Sequence, residues 1–202
     1  GAPLYRLKAH FIDAMPEDLG LLGEHQRANA ALAAMAVQLF GNSTIIDQNA
    51  IFEGARNVVW PARMQRLKDG PLTALAPNQE IWLDGGHNPH AARAIARQLN
   101  NMPGRTALVA AMLASKDATG YFMPFRQVRP EVFTLPNAPG HQGAEPQALA
   151  EAATNAGLKA AAYDSLEAAL KAAATTGVDR ILICGSLYLA GEVLAQNGEP
   201  PA

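Results

Sequence analysis

The sequence predicts an α/β fold whose sheet is mostly parallel. Strand-like and helix-like stretches alternate from Val58 onward. Residues 106–113 form a short, continuous apolar run, the pattern of a strand buried on both faces. Polar turns follow the strand-like stretches at 84–87, 115–117, 136–141 and 185–186, and three of these hold glycine. In an open sheet of this class ligands bind outside the carboxyl ends of the strands, so these turns are where a site is expected.

Each element has its own local signal. Residues 3–11 mix Leu4, Tyr5, Leu7 and Phe11 with polar neighbours and predict one or two edge strands. An alanine-rich helix then runs to Phe40, with Ala31, Leu32, Met35, Leu39 and Phe40 at helical spacing and Gly41-Asn42 as its stop. Residues 47–55 predict a second helix with Asp47 as its N-cap and Gly54 weakening its end. Two strands are predicted at 64–67 and 80–83, joined by a loop, 69–78, that holds Gly70, Pro71 and Pro77. A helix over 90–99 places Ala92, Ile95, Ala96 and Leu99 on one face. Residues 121–125 read as helix or turn, 131–135 as a strand, and 136–143 as a loop. Helices are predicted over 146–156 and 165–174, with Gly157 and Gly177 as their stops. The last strand is expected at 180–184 and the last helix at 186–195.

Composition excludes several classes of function. The chain has 202 residues, which at roughly 150 per domain means one domain, or one and part of another. Lys and Arg number 16 against 18 Asp and Glu, a net charge of −2, without the basic excess of a nucleic-acid binder or an electrostatic membrane-surface protein. Apolar residues make up 49% and charged residues 17%, enough to bury a core and too little charge for a disordered chain. The single cysteine, Cys184, allows no intramolecular disulfide and fits a reducing, cytoplasmic compartment. Residues 28–46 are uncharged, but Asn29, Gln38, Gly41, Asn42, Ser43 and Thr44 break the run as a membrane span. The opening residues, GAPLYRLK, lack the pattern of a leader and begin on glycine, so a processed product or a piece of a longer protein is expected.

The strongest constellation is Leu83-Asp84-Gly85-Gly86-His87-Asn88-Pro89-His90. Asp84 stands at a strand tip, two glycines allow close approach to the backbone, and Pro89 suits the first turn of a helix. A helix start offers free N–H groups to phosphate oxygens, and a carboxylate beside it suits ribose hydroxyls. The alternative is that Asp84 and Asn88 only cap the turn. His87 and His90 form an H-x-x-H, but no further Cys or Glu at ligand spacing accompanies them, so no metal site is expected. Arg63, in Trp60-Pro61-Ala62-Arg63, places a phosphate-suited guanidinium just before a strand. Ser186 stands where it either holds an anion or caps a helix. Cys184 reads as a buried core thiol, and His141 as structural or functional alike. The G-x-x-x-x-G-K-[ST], G-x-G-x-x-G and G-x-S-x-G patterns are absent from the sequence.

Taken in order, His25-Gln26-x-x-Asn29-Ala30, Trp60-Pro61-x-Arg63, Leu83-Asp84-Gly85-Gly86-His87-Asn88-Pro89-His90, Met112-Leu113-x-x-Lys116-Asp117 and Cys184-Gly185-Ser186-Leu187-Tyr188-Leu189-Ala190-Gly191 resemble the bacterial folylpolyglutamate synthase / dihydrofolate synthase family of the Mur ligase group. The resemblance implies a Rossmann-like C-terminal domain over 58–202, preceded at 1–57 by the tail of a central ATPase domain. The rest of that domain, with its phosphate loop, magnesium ligands and carbamylated lysine, would lie outside this sequence.

The resemblance further implies an ATP- and Mg2+-dependent ligase that adds L-glutamate to dihydropteroate or folates through an acyl phosphate. By residue match, Asn29, Arg63 and Asp84 would serve ATP: Asn29 at the adenine, Arg63 at the phosphates and Asp84 at the ribose. His87 would be catalytic, near the reacting phosphate or the incoming glutamate, and Ser186 would lie near the glutamate. Lys116 and Asp117 match part of a family Asp-Lys-Asp run in which residue 115 is Ser here, and Ala62 stands where the family has glycine. The chain alone would then be inactive. The competing readings are a stand-alone nucleotide- or partner-binding module and the C-terminal domain of a Mur-type cell-wall peptide ligase.

Overall fold

The computed structural model describes residues 12–40 and 46–200. The edge strands expected over 3–11 and the helix stop at Gly41-Asn42 lie outside the described residues. The chain divides into two compact units, Gly1–Trp60 and Pro61–Ala202, where the sequence placed a division between 57 and 58.

The first unit holds α1 (Glu24–Phe40) and α2 (Gln48–Asn57). Its buried apolar core is small: Met15, Ala31 and Ala34, with Ile12, Ala30, Ile51 and Phe52 packed around them. Arg27 ties the preceding segment to α1, its Nε donating to the Ile12 carbonyl at 3.0 Å and its Nη1 to that of Pro16 at 3.1 Å. Asp47 caps α2 by accepting the Ala50 N–H at 2.8 Å. The helix continues through Gly54 to Asn57 instead of weakening there. Leu32, Leu39 and Phe40 of α1 are exposed.

The second unit is a six-stranded sheet, β1 (Gln65–Arg66), β2 (Glu80–Asp84), β3 (Thr106–Ala110), β4 (Val132–Thr134), β5 (Ala160–Ala162) and β6 (Arg180–Cys184), in the order β1-β2-β6-β3-β4-β5. Only β1 runs antiparallel to its neighbour; all other pairs are parallel. Four helices connect the strands, α3 (Pro89–Asn101), α4 (Ala118–Phe122), α5 (Pro146–Asn155) and α6 (Leu166–Ala174), and α7 (Leu187–Gln196) follows β6. Alternate strand residues face opposite sides. Leu83, Val109, Ile181 and Ile183 pack with Leu170 of α6 and Val193 of α7. Trp82, Leu108, Leu182 and Cys184 pack with Ile95 of α3, Phe122 of α4 and Leu149 of α5. Helices therefore cover both faces, which is why β3 and β6 are wholly buried and, after Thr106 and Arg180, apolar to their ends.

Three details depart from the sequence reading. Strand β3 stops at Ala110, three residues short of the apolar run, because β6 beside it ends at Cys184; Ala111 still donates to the Cys184 carbonyl at 3.3 Å. Strand β5 is all alanine and carries no strand preference of its own; pairing with β4, Val132 opposite Ala160, makes it. The loop after β1 contains a 3-10 turn, Thr73–Leu75, held by the buried Asn197, whose Oδ1 accepts the Leu72 N–H at 3.1 Å and whose Nδ2 donates to the Lys68 carbonyl at 2.9 Å. Gly157 and Gly177 do end helices, both at positive φ (83° and 67°).

Leu182 sits wholly buried at the centre of the sheet. Leu182→Ala should lower the unfolding free energy by about 2–5 kcal/mol, read as a fall in the urea midpoint at unchanged slope.

Candidate functional site

Because β6 returns between β2 and β3, the turns that follow these three strands stand side by side. Asp84 closes β2 opposite Cys184, which closes β6 opposite Ala110 at the end of β3. Asp84 is 6% exposed. Its Oδ1 accepts the Gly86 N–H at 2.7 Å and its Oδ2 the Met64 N–H at 2.9 Å, so one carboxylate ties together two chain segments. Gly86 is required by close approach, since a Cβ there would lie 2.9 Å from Ala91 Cβ and from Ile95 Cδ1 of α3. Asn88 caps α3 by accepting the Ala91 N–H at 2.9 Å, with Pro89 opening the helix. Both carboxamide and carboxylate thus do the capping work that the sequence held open as an alternative.

His87 is half-buried, with Nδ1 3.2 Å from the Gly85 carbonyl oxygen. A carbonyl only accepts, so this contact calls for a protonated Nδ1 and leaves the lone pair of a neutral ring on Nε2. Arg63 reaches the same glycine. Its Nη1 donates to the Ala62 carbonyl at 3.0 Å and would lie 3.4 Å from a Cβ at Gly85. Gly85 itself donates to the Ala62 carbonyl at 2.9 Å. Arg63 and His87 therefore both border Gly85, on a turn whose Gly85 and Gly86 N–H groups are already taken by the Ala62 carbonyl and by Asp84.

Arg63 is flanked by two residues in the left-handed region, Ala62 at φ +56° and Met64 at φ +42°. Such a backbone costs a residue with a side chain about 1–2 kcal/mol. Nothing in the sequence signals it, because neither alanine nor methionine marks a positive φ. The glycine that the resemblance places at 62 is the residue this conformation favours.

Ser186 is buried and caps α7, its Oγ accepting the N–H groups of Tyr188 at 3.2 Å and Leu189 at 3.3 Å. The hydroxyl proton is still left to donate. Gly185 before it has φ +96°, and a Cβ there would meet the Ala111 carbonyl oxygen at 2.5 Å. Leu187 lies over Gly85, and the Tyr188 ring stacks on His141 at 3.5 Å between centroids and 19° between planes. His141, ambiguous in sequence, is thereby brought to the start of α7. Asp117 caps α4 by accepting the Gly120 N–H at 2.8 Å, and Lys116 lies in the turn just before it, its N–H donating to the Leu113 carbonyl. Asn29 is exposed on α1 of the first unit, its Nδ2 donating to Gln26 Oε1 at 3.0 Å. His90 is exposed on α3. Among the described residues no group of three His, Cys, Asp or Glu is placed to hold a metal ion.

Behind Asp84 lie two buried titratable groups. Burial pushes the Cys184 thiol up to about 12, the neighbouring Tyr121 hydroxyl acting against the shift and the Asp84 charge with it. Burial likewise raises the Tyr121 hydroxyl, with Cys184 beside it adding to the effect. Both groups are neutral at physiological pH and line the underside of the turn.

The family model for the Mur ligase glutamate ligase domain matches residues 62–187. Among curated proteins, the chain is 31% identical to folylpolyglutamate synthase of Lacticaseibacillus casei over 87% of its own length and 39% of that protein's. It is 29% identical to dihydrofolate synthase/folylpolyglutamate synthase of Escherichia coli (strain K12), over 82% of its length and 37% of that protein's. Among solved structures it resembles the folylpolyglutamate synthase of Mycobacterium tuberculosis complexed with ADP and AMPPCP, with a TM-score of 0.77 and 27% identity over 91% of this chain and 42% of that one. The chain spans about two fifths of the length of these relatives.

The two glycines of the site should respond differently to alanine. Gly185→Ala meets a backbone oxygen at positive φ and should cost at least about 2 kcal/mol in urea unfolding. Gly85→Ala meets side-chain atoms only, the Leu187 isobutyl group and, at 3.4 Å, Arg63 Nη1; Leu187 is 47% exposed and free to swing, so the substitution should cost less than Gly185→Ala, under about 1 kcal/mol. The buried thiol adds a pH dependence. Below its ordinary value of 9.0, Cys184 is protonated both folded and unfolded and has no effect. Above it the unfolded chain loses the proton first, so stability falls as pH rises towards about 12, by up to about 1.4 kcal/mol per pH unit. Cys184→Ala should remove that slope from unfolding curves taken between pH 9 and 11.

Proposed function

We propose that this chain, which belongs to the Mur ligase glutamate ligase domain family, is the C-terminal part of an ATP-dependent ligase that adds L-glutamate to dihydropteroate, folates or both. The observation that carries the reading is the meeting of Arg63 and His87 at Gly85, on the carboxyl edge of the sheet and inside the matched segment. The names of the relatives favour folate substrates over a cell-wall peptide ligase and over a module without catalysis. Leu32, Leu39 and Phe40, exposed on α1, suit a first unit that is the tail of a larger ATPase domain. A cytoplasmic setting goes with this reading.

In the reaction, the acceptor's carboxylate would take the terminal phosphoryl group of ATP to form an acyl phosphate and ADP. The glutamate amine would then attack the acyl carbon, giving up a proton as phosphate leaves and the amide forms. Arg63 offers a charged fork to phosphate oxygens. His87, with Nδ1 held by the Gly85 carbonyl, offers Nε2 to the amine's proton or to a phosphate oxygen. Ser186 keeps a hydroxyl proton to donate to a glutamate carboxylate. Asn29 and Asp84 serve the nucleotide, and Lys116 and Asp117 stand at the neighbouring turn without an assigned role. By the family resemblance magnesium would be held by residues of the ATPase domain outside this sequence, and no step above runs through it.

The test is glutamate-dependent ADP release by the full-length protein that carries this sequence, with dihydropteroate and with a reduced folate as acceptors, and a product heavier by one glutamate in mass spectrometry. No glutamate-dependent ADP release with either acceptor overturns the reading. The 202-residue chain alone should be inactive. In the full-length protein, Arg63→Ala should raise the KM for ATP by about ten- to a hundredfold, the worth of a charge-assisted hydrogen bond. His87→Ala should lower the rate of amide formation by ~10²-fold or more while leaving the urea midpoint nearly unchanged.

A further inference from the structure

We infer that His141, stacked on Tyr188 at the start of α7, is a specificity-determining residue that donates a hydrogen bond to the side-chain carboxylate of the incoming L-glutamate. The inference rests on the ligase reading, with Ser186 at the α-carboxylate, and deepens it.

The loop that carries His141 is fixed by its backbone. The Ala114 N–H donates to the Gln142 carbonyl at 3.1 Å and the Ala144 N–H to that of Met112 at 2.9 Å, while Leu113 pairs with Gly143 in an antiparallel bridge. The loop after β4 is thus laced to the turn after β3. The His141 ring lies face to face with Tyr188, 3.5 Å between centroids. Tyr188 is placed in turn by Ser186, whose Oγ accepts its N–H at 3.2 Å. Stacking uses the face of the imidazole and leaves its edge, and neither ring nitrogen has a hydrogen-bond partner among the described residues. A neutral imidazole carries one N–H in either tautomer, so that edge always offers a donor.

The surroundings suit an anion. Ser186 has a hydroxyl proton left to donate, and the start of the ten-residue α7 is the positive end of its dipole. Neither 136–143 nor 185–191 contains Asp or Glu, so an arriving carboxylate meets no like charge from these segments. The same loop also holds an unspent group: both side-chain polar atoms of Asn137 are shielded from solvent without a partner among the described residues. Such a group costs about 1–3 kcal/mol, so the loop is not built for stability alone. L-Glutamate brings two carboxylates. Ser186 adjoins Gly185, whose N–H donates to the Gly86 carbonyl at 3.1 Å, next to His87 and the reacting amine. Ser186 therefore suits the carboxylate on the carbon that bears the amine. His141 reaches α7 two residues later, at Tyr188, and suits the carboxylate at the far end of the side chain.

The experiment uses the full-length protein, with L-glutamate and with L-norvaline, which keeps the α-carboxylate and has a methyl group in place of the far one. His141→Phe retains a ring to stack and loses the donor. It should raise the KM for L-glutamate about ten- to a hundredfold, the worth of a hydrogen bond to a charged group, at an unchanged KM for ATP. Its kcat/KM for L-norvaline should stay within about threefold of wild type, so the preference for glutamate shrinks. His141→Gln restores an N–H donor and should bring the KM for L-glutamate back to within about threefold of wild type. Should His141→Phe fail to fold, His141→Ala gives the same reading. A KM for L-glutamate that is unchanged in the variant without the donor overturns the inference. So does an equal loss with L-norvaline, or a His141→Gln variant as impaired as His141→Phe. If the unaltered protein shows no glutamate-dependent ADP release, the ligase reading itself fails and takes this inference with it. Release by the unaltered protein together with unaffected variants overturns the inference alone.

Discussion

The insertion of β6 between β2 and β3 is the pairing on which the rest of the second unit depends. It aligns Asp84, Cys184 and Ala110 across three neighbouring strands, so that three turns distant in sequence open at one edge. Each turn then has a backbone reason for its composition. Gly86 lets α3 approach, Gly185 clears the Ala111 carbonyl, and Gly85 makes room for Leu187. The glycines that the sequence suggests for ligand access are, in the structure, first of all glycines that let strands and helices meet.

Asp84 shows how a buried charge can organise a polar edge without exposure. Its two oxygens take backbone N–H groups from segments twenty residues apart, and the groups beneath it, Cys184 and Tyr121, are kept neutral by burial. A neutral, close-packed floor under a satisfied carboxylate makes a rigid base for whatever Arg63 and His87 do above it. Ser186 fits the same pattern, since its capping of α7 fixes where its remaining hydroxyl proton is offered. At this site structural and functional uses of one side chain coexist, because a hydroxyl or carboxylate oxygen has more than one hydrogen-bonding place.

Much of the architecture was legible beforehand where a periodic signal was strong. Strand β6 occupies the expected 180–184, and α3, α5, α6 and α7 fall within one or two residues of expectation. The failures have physical causes. An all-alanine edge strand has no periodicity to read, and the end of β3 is set by its neighbour rather than by its own apolar run. The candidate site was legible as a set of turns, through the rule that strand ends carry ligands. It was not legible as a constellation: the left-handed backbone around Arg63 and the stack of His141 on Tyr188 leave no trace in residue type or spacing.

The sequence by itself determined the class of fold, the capping of α2 by Asp47, and the motifs that mark the family. These depend on interactions within a few residues, which local pattern encodes. Only the tertiary structure decided that Arg63 and His87 share Gly85, that Asp84 spends its oxygens on two backbone segments, and that the last strand returns to the middle of the sheet. Those are contacts between residues twenty to a hundred positions apart. Their geometry follows from close packing of side chains on two sheet faces, which no single stretch of sequence contains.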